Sequence, residues 1–233
     1  MESVKLMNRV DTKFAMPLTL LPQLLELAKA EYYAQEINGK RIAQYDTIYF
    51  DTPDLEMYIR HHDRHLVRQK IRVRQYVDSN LNFLEIKRKN NKGRTKKKRM
   101  TIPSLSLDNA TGEMRDFIAQ KSWYSLEQIS QALRTRFSRI TLVNHLKTER
   151  LTIDMSLVWT NLRNDNETAL PGLVIVELKR DGNCSSPMLS IMNQLRVKPL
   201  KISKYCIGTA LTNHQVKQNR FKKKIRSINK LIQ

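Results

Sequence analysis

Apolar and charged residues alternate in several short segments of this chain. They are Arg9-Val10-Asp11-Thr12-Lys13, Lys70-Ile71-Arg72-Val73-Arg74, Phe83-Leu84-Glu85-Ile86-Lys87, Arg150-Leu151-Thr152-Ile153-Asp154 and Ile175-Val176-Glu177-Leu178-Lys179. A period of two sends successive side chains to opposite faces of a strand, so each segment has one charged and one apolar face. Around them the pattern predicts a strand over 43–51, with Thr52-Pro53-Asp54 opening a turn and a short helix. Residues 66–76 and 81–89 read as a hairpin about Asp78-Ser79-Asn80, and 94–102 as the next strand after the turn Asn90-Asn91-Lys92-Gly93. Further strands are expected over 140–147, 150–157 and 173–179, with a polar loop at 161–172. Leu21, Leu24, Leu25 and Ala28 share one helical face within 17–35, and 112–136 reads as one or two helices, with Ser125 able to cap the second. Ser186-Pro187 is a capped helix start, and a short helix is predicted over 204–212. The last twenty residues, from His214, are basic and amphipathic.

Composition narrows what such a sheet would meet. At 233 residues the chain can build one large β-rich domain or two small ones, and no Gly-, Pro- or Ser-rich linker divides it. Lys plus Arg number 42 against 22 Asp plus Glu, a net charge of +20, which predicts an anionic partner. Cys184 and Cys206 have neither metal-ligand spacing nor a disulfide framework, so a reducing, cytoplasmic compartment is expected. His61, His62 and His65 read as a polar turn, and no apolar run approaches the length of a membrane span.

Exposed strand faces usually carry Thr, Ser and mixed polar residues; compact Arg, Lys and Glu triplets are unusual there. If the sheet closes into a barrel, the charged faces converge on one lumen, basic with a few carboxylates, which suits a polyanion with its metal ion. In the run Lys96-Lys97-Lys98-Arg99, Met100 and Ile102 share the face of Lys96 and Lys98, so Lys97 and Arg99 are the better lumen residues.

The segment Tyr49-Phe50-Asp51-Thr52-Pro53-Asp54-Leu55 resembles the signature of the VTC domain, a polyphosphate polymerase module named after the vacuolar transporter chaperone complex. The alternating segments from Lys70 to Lys179, and Lys201-Ile202-Ser203-Lys204-Tyr205, match the same family in the same order. The family belongs to the triphosphate tunnel metalloenzymes. The resemblance therefore implies an α+β fold: a closed antiparallel β-barrel, the triphosphate tunnel, with helices packed outside. It assigns 1–213 to that domain and leaves 214–233 as a basic tail.

By resemblance, Arg72, Arg74, Lys87, Arg150 and Lys204 are the expected catalytic set, with Arg9, Lys13, Lys97, Arg99, Lys201 and Ser203 binding phosphate. Glu177 is the expected ligand for Mn2+ or Mg2+, with Glu85 and Asp154 as second candidates or as ion-pair partners of neighbouring bases. Phosphoryl transfer rests on positioning and on stabilising spread negative charge, and Arg forks and Lys ammoniums supply both. Lys201 and Lys204 flank a hydroxyl at a predicted helix start, where phosphate would gain free N–H groups as well as two ammonium partners; a capped surface helix with solvated lysines is the alternative. The family also places an aromatic and an Arg on the strand before Arg150. The reading of 143–147 finds no Arg there and leaves it open whether Lys147 replaces it.

The expected function is polyphosphate synthesis from ATP, with a metal-dependent tri- or polyphosphatase as the alternative. Related hydrolases carry ExExK at the first strand; Arg9-Val10-Asp11-Thr12-Lys13 replaces the first acid with a base. A polyanion- or nucleic-acid-binding protein is the alternative from another class. Aromatics make up only 7% of residues and do not interleave with the basic strands, so no obligate nucleic acid is expected. The C-terminal tail is expected to touch polyanion or an acidic membrane surface, and membrane association through a partner stays open.

Overall fold

The computed structural model describes residues 9–182 and 185–233, without the side chain of Arg9; Cys184 lies outside the described residues. The N-terminal strand β1 (Arg9–Pro17) leads through a 3-10 turn into α1 (Leu21–Ala28), and a short β2 (Tyr32–Ala34) precedes β3 (Ile42–Asp51). Next come α2 (Glu56–His62), the hairpin β4 (Arg68–Tyr76) and β5 (Leu81–Lys89), β6 (Thr95–Ile102) and α3 (Gly112–Lys121). Long strands β7 (Ser130–Asn144) and β8 (Glu149–Asn161), short β9 (Glu167–Leu170) and β10 (Leu173–Asp181) complete the sheet. Helices α4 (Pro187–Gln194), α5 (Lys204–Thr212) and α6 (Asn219–Leu231) follow.

The result is the α+β antiparallel architecture expected, with strand order β1-β10-β8-β7-β3-β4-β5-β6 and β2 and β9 attached to β7 and β8. Among the described pairings no ladder joins β1 to β6, so hydrogen bonds do not close the sheet. The sheet is strongly curved, and the curvature brings Lys87 on β5 within electrostatic reach of Lys13 on β1 and Glu177 on β10.

Alternation divides the sheet into two faces. The convex face is apolar and covered in two places. Phe14, Met16, Val174, Val176, Leu151 and Ile153 pack with Leu21 and Leu24 of α1 and Met188 and Met192 of α4. Ile48, Ile71, Val73, Leu84 and Ile86 pack with Met114 and Ile118 of α3. The concave face carries the charged residues, and α5 enters it to bury Tyr205, Cys206 and Ile207 against Tyr49, Leu157 and Trp159. Amphipathic α6 docks on the same cluster through Phe221 and Ile228, leaving Lys222, Lys223 and Arg226 exposed.

Several boundaries differ from the sequence pattern. The helical reading of 112–136 holds only for α3, which Thr111 caps by accepting the Met114 N–H at 3.4 Å. Ser125 caps no helix; its N–H donates to Gln128 Oε1 at 2.8 Å in a turn, and β7 begins five residues later. Within 17–35 the helix is confined to α1, and the polar loop 161–172 contains β9. The histidine cluster closes α2 rather than forming a polar turn, with His62 buried.

Candidate functional site: a basic lumen

On β4, Lys70, Arg72 and Arg74 point to the concave face. Arg72 forks onto Glu85 of β5, with Nε at 2.7 Å and a terminal nitrogen at 2.6 Å, and donates to the Tyr49 hydroxyl at 3.3 Å. Arg74 donates to Thr47 Oγ1 at 3.2 Å and lies over Tyr45 and Phe137. Lys70 donates to Ser203 Oγ at 2.6 Å, tying the start of α5 to the wall. On β6, Lys97 reaches Glu85 at 2.8 Å and Arg99 covers the Phe83 ring, so these two exposed side chains share the face of Glu85 and Lys87.

A second cluster adjoins it, since Arg139 lies over the same Tyr45 and Phe137 rings as Arg74. Asp154 of β8 is buried and receives both forks of Arg139 on β7, at 2.5 and 2.8 Å, together with the Lys204 ammonium. Lys204 also lies 4.7 Å from the Phe137 ring centre. It is therefore a lumen residue held by a buried carboxylate, not a solvated surface lysine; Lys201 stays exposed at the mouth. Ser203 caps α5 by accepting the Cys206 N–H at 3.2 Å.

The third group lies on β1, β10 and β8. Glu177 sits between Lys13 at 3.9 Å and Lys179 at 3.6 Å, and Lys13 donates to the Ile202 carbonyl at 3.4 Å. Arg150 is half-buried, opposite Lys179 in the ladder. Arg9 pairs by its backbone with Asp181, and its side chain lies outside the described residues.

The electrostatics follow from this crowding. Burial works against the charge of Glu85, Asp154 and Glu177, yet the surrounding bases hold all three carboxyls well below the usual range. Lys87 is accessible to water but walled in. Burial, with Lys13, Arg72 and Lys70, brings its pKa down to about 8 against the pull of Glu177. Burial does the same for Lys179, helped by Arg139 and Arg150. Burial would raise the Tyr49 phenol, but Arg72, Arg74, Lys70 and Lys204 lower it to about 8.

The three carboxylates are not equivalent. Glu85 and Asp154 are satisfied by guanidinium forks and ammoniums and act as ion-pair partners. Glu177 meets its lysines only at 3.6 and 3.9 Å, beyond hydrogen-bond length, so its oxygens retain acceptor capacity. No group of three or more His, Cys, Asp or Glu is arranged to hold a metal among the described residues. Glu177 thus fits a hard cation whose other ligands are phosphate oxygens and water, and does not fit a cage made by protein alone.

Sequence reasoning missed Arg139. No aromatic-plus-Arg pair stands in 143–147, but earlier on β7 Arg139 lies over the Phe137 ring at 5.2 Å. Lys147 is an exposed turn residue at φ 55° between β7 and β8. Lys70 and Lys179 were missed too, although each stands two residues from a chosen one on the same face. The Asp51 of the signature segment is architectural. Buried, it accepts the N–H groups of Thr52, Met57 and Tyr58 at 2.8, 2.9 and 3.0 Å and the Tyr205 hydroxyl, fixing α2 and α5.

A family model described as the VTC domain matches residues 8–213. No curated protein matches the chain. Among solved structures, the chain is similar to HpAC1 from Hippeastrum, an adenylyl cyclase candidate described as having a dominant triphosphatase activity. The TM-score is 0.54 at 12% identity, over 88% of this chain and 97% of that one. A candidate adenylate cyclase from Vibrio parahaemolyticus gives 0.51 at 11% identity, over 85% and 97%. At such identities these likenesses establish the fold and nothing finer.

Proposed function

This chain belongs to the VTC domain family, and on that premise we propose that it is a polyphosphate polymerase, moving the γ-phosphate of ATP onto a phosphate chain held in the basic lumen. The observation that carries the proposal is Glu177, a lumen carboxylate left clear of hydrogen bonds within a wall of cations. Arg72, Arg74 and Arg139 present the guanidinium N–H groups that their bonds to Glu85, Thr47 and Asp154 leave over, and Lys13, Lys70, Lys87, Lys179 and Lys204 present point charges, so a polyphosphate would be gripped along its length. Glu177 would hold a phosphate-bound Mn2+ or Mg2+, which supplies charge neutralisation on the reacting oxygens. A terminal oxygen of the acceptor chain forms the new bond to Pγ, the bridging Pγ–O bond breaks, and its electrons leave with ADP. The protein's part is alignment and charge stabilisation, with no covalent nucleophile.

A hydrolase of the same fold would deliver water to Pγ, and the triphosphatase description of the Hippeastrum protein favours that second reading. A nucleic-acid platform has less support, because Tyr45 and Phe137 are buried beneath Arg74 and Arg139 rather than offered to a base. Incubation with ATP and Mn2+, with separate assays of ADP, free phosphate and polymer, tests the proposal. ADP with polymer supports synthesis, free phosphate matching ADP replaces it with hydrolysis, and neither product rejects both enzymes.

A further inference from the structure

The cationic row of the concave face continues beyond the lumen. Arg68 and Lys89 face each other as the outermost rung of the β4–β5 ladder, on the same face as Lys70, Arg72 and Lys87. Lys201 is brought alongside because its neighbours are fastened to the wall: Ile202 by the Lys13 ammonium and Ser203 by that of Lys70. Arg68 and Lys201 act together on Lys89.

Helix α6 supplies the other lip. The Phe221 ring stands edge-on to His62 at 5.3 Å and Tyr58 at 5.8 Å, and the Arg220 N–H donates to His62 Nε2 at 3.4 Å, so α6 is pinned to α2. Lys224, one turn on, lies 5.9 Å from the Phe221 ring centre and within electrostatic reach of Arg64 and Lys201. His61 lies between Arg68, Lys70 and Lys224, its buried Nδ1 without a hydrogen-bond partner. Among the described residues no carboxylate pairs with Arg64, Arg68, Lys89, Lys201 or Lys224. Asp63, next in sequence to Arg64, is taken by His62 at 2.7 Å and Lys217 at 3.1 Å.

Scattered surface lysines are ordinarily just solvated. This set differs in coming from separate segments, converging at one end of the lumen, and extending its row rung by rung. A positive track of that kind favours a linear anion longer than the lumen. We propose that this mouth binds the phosphate units of a polyphosphate chain that extend beyond the lumen, with α6, outside the matched span 8–213, forming one side of the track. The proposal rests on the phosphate-chain reading of the lumen. Nucleic acid fits less well, because the aromatic ring at the lip, Phe221, is buried and offers no stacking surface.

The test is equilibrium binding of the full chain to tripolyphosphate and to long-chain polyphosphate across a salt series, without metal or nucleotide. The variant is Arg64→Ala, Lys89→Ala and Lys224→Ala combined, and Lys89→Arg with Lys224→Arg is the charge-keeping control. Tripolyphosphate affinity should stay within about twofold, long-chain affinity should fall about tenfold, and the salt dependence of the long chain should become shallower by roughly two. The control should bind as the parent does. Equal loss for both ligands, no loss for either, or single-stranded RNA competing as well as long-chain polyphosphate for the parent would overturn the proposal. No turnover is needed, so a protein that makes no polymer from ATP but keeps this length dependence refutes the polymerase reading and leaves the mouth standing.

Discussion

Gly208 lies where α5 crosses Trp159, and replacing it with Ala tests whether that helix is rigidly seated. A Cβ there would stand 2.2 Å from Trp159 Cδ1 and 2.7 Å from both Cγ and Nε1, where ordinary contact begins near 3.4 Å. The ring is fully buried, so it cannot swing aside, and α5 must lift by about an ångström. Overpacking of this kind costs about 1–3 kcal/mol or more, and the gain in helix propensity from Gly to Ala returns about 1. A net loss of about 1–2 kcal/mol corresponds to roughly 2–8 °C in Tm for a chain of this size. Lifting α5 also displaces Ser203 and Lys204, so thermal unfolding and tripolyphosphate titration should move together: lower Tm and weaker binding. A variant as stable as the parent, or more stable, would show that α5 does not press on Trp159 as described.

Arg139→Met leaves the buried Asp154 with Lys204 as its remaining strong partner and should cost about 3–5 kcal/mol in denaturant unfolding; a near-neutral result would mean the cluster is dispensable. Glu177→Gln should abolish metal-dependent turnover while calorimetry finds metal-free tripolyphosphate binding preserved, and parallel loss of both would make Glu177 a structural residue. Lys87 and Lys179 titrate near pH 8, so triphosphate affinity should fall between pH 7 and 9 as they discharge. Their folded pKa lies below the ordinary 10.5, so between about pH 8 and 10.5 the unfolded chain binds more protons; their contribution to ligand-free stability rises with pH in that window. Affinity that is flat from pH 7 to 9 would contradict the crowding described for both lysines.

The hairpin β4–β5 was legible because charged and apolar residues alternate strictly over Lys70–Arg74 and Leu84–Lys87, and the turn between its strands is short. The face of Lys97 and Arg99 followed from Met100 and Ile102 alone. β7 was hidden because Ile129, Ala132 and Leu133 fall at i, i+3 and i+4, a helical spacing, so its first half read as helix and Arg139 was never aligned with Asp154. A bulge in the β7–β8 pairing, with Ser156 at φ 54°, also breaks the two-residue period. Before it Arg150, Thr152 and Asp154 face inward; after it Leu157 and Trp159 do. The anchoring of Lys204 was illegible for another reason: spacing shows that two lysines flank a serine, but not which of them meets a carboxylate fifty positions away.

The ladder between β1 and β10 joins the chain's beginning to its last third, and the contact from Lys13 to Ile202 spans 189 positions. Loop closure over such a distance comes late and slows folding. During synthesis, the basic strands β4 to β6 emerge well before Glu177 or the start of α5 exists to meet them. The basic interior is therefore among the last features to form, and a chain halted short of α5 would display its half-built cationic wall to any polyanion nearby.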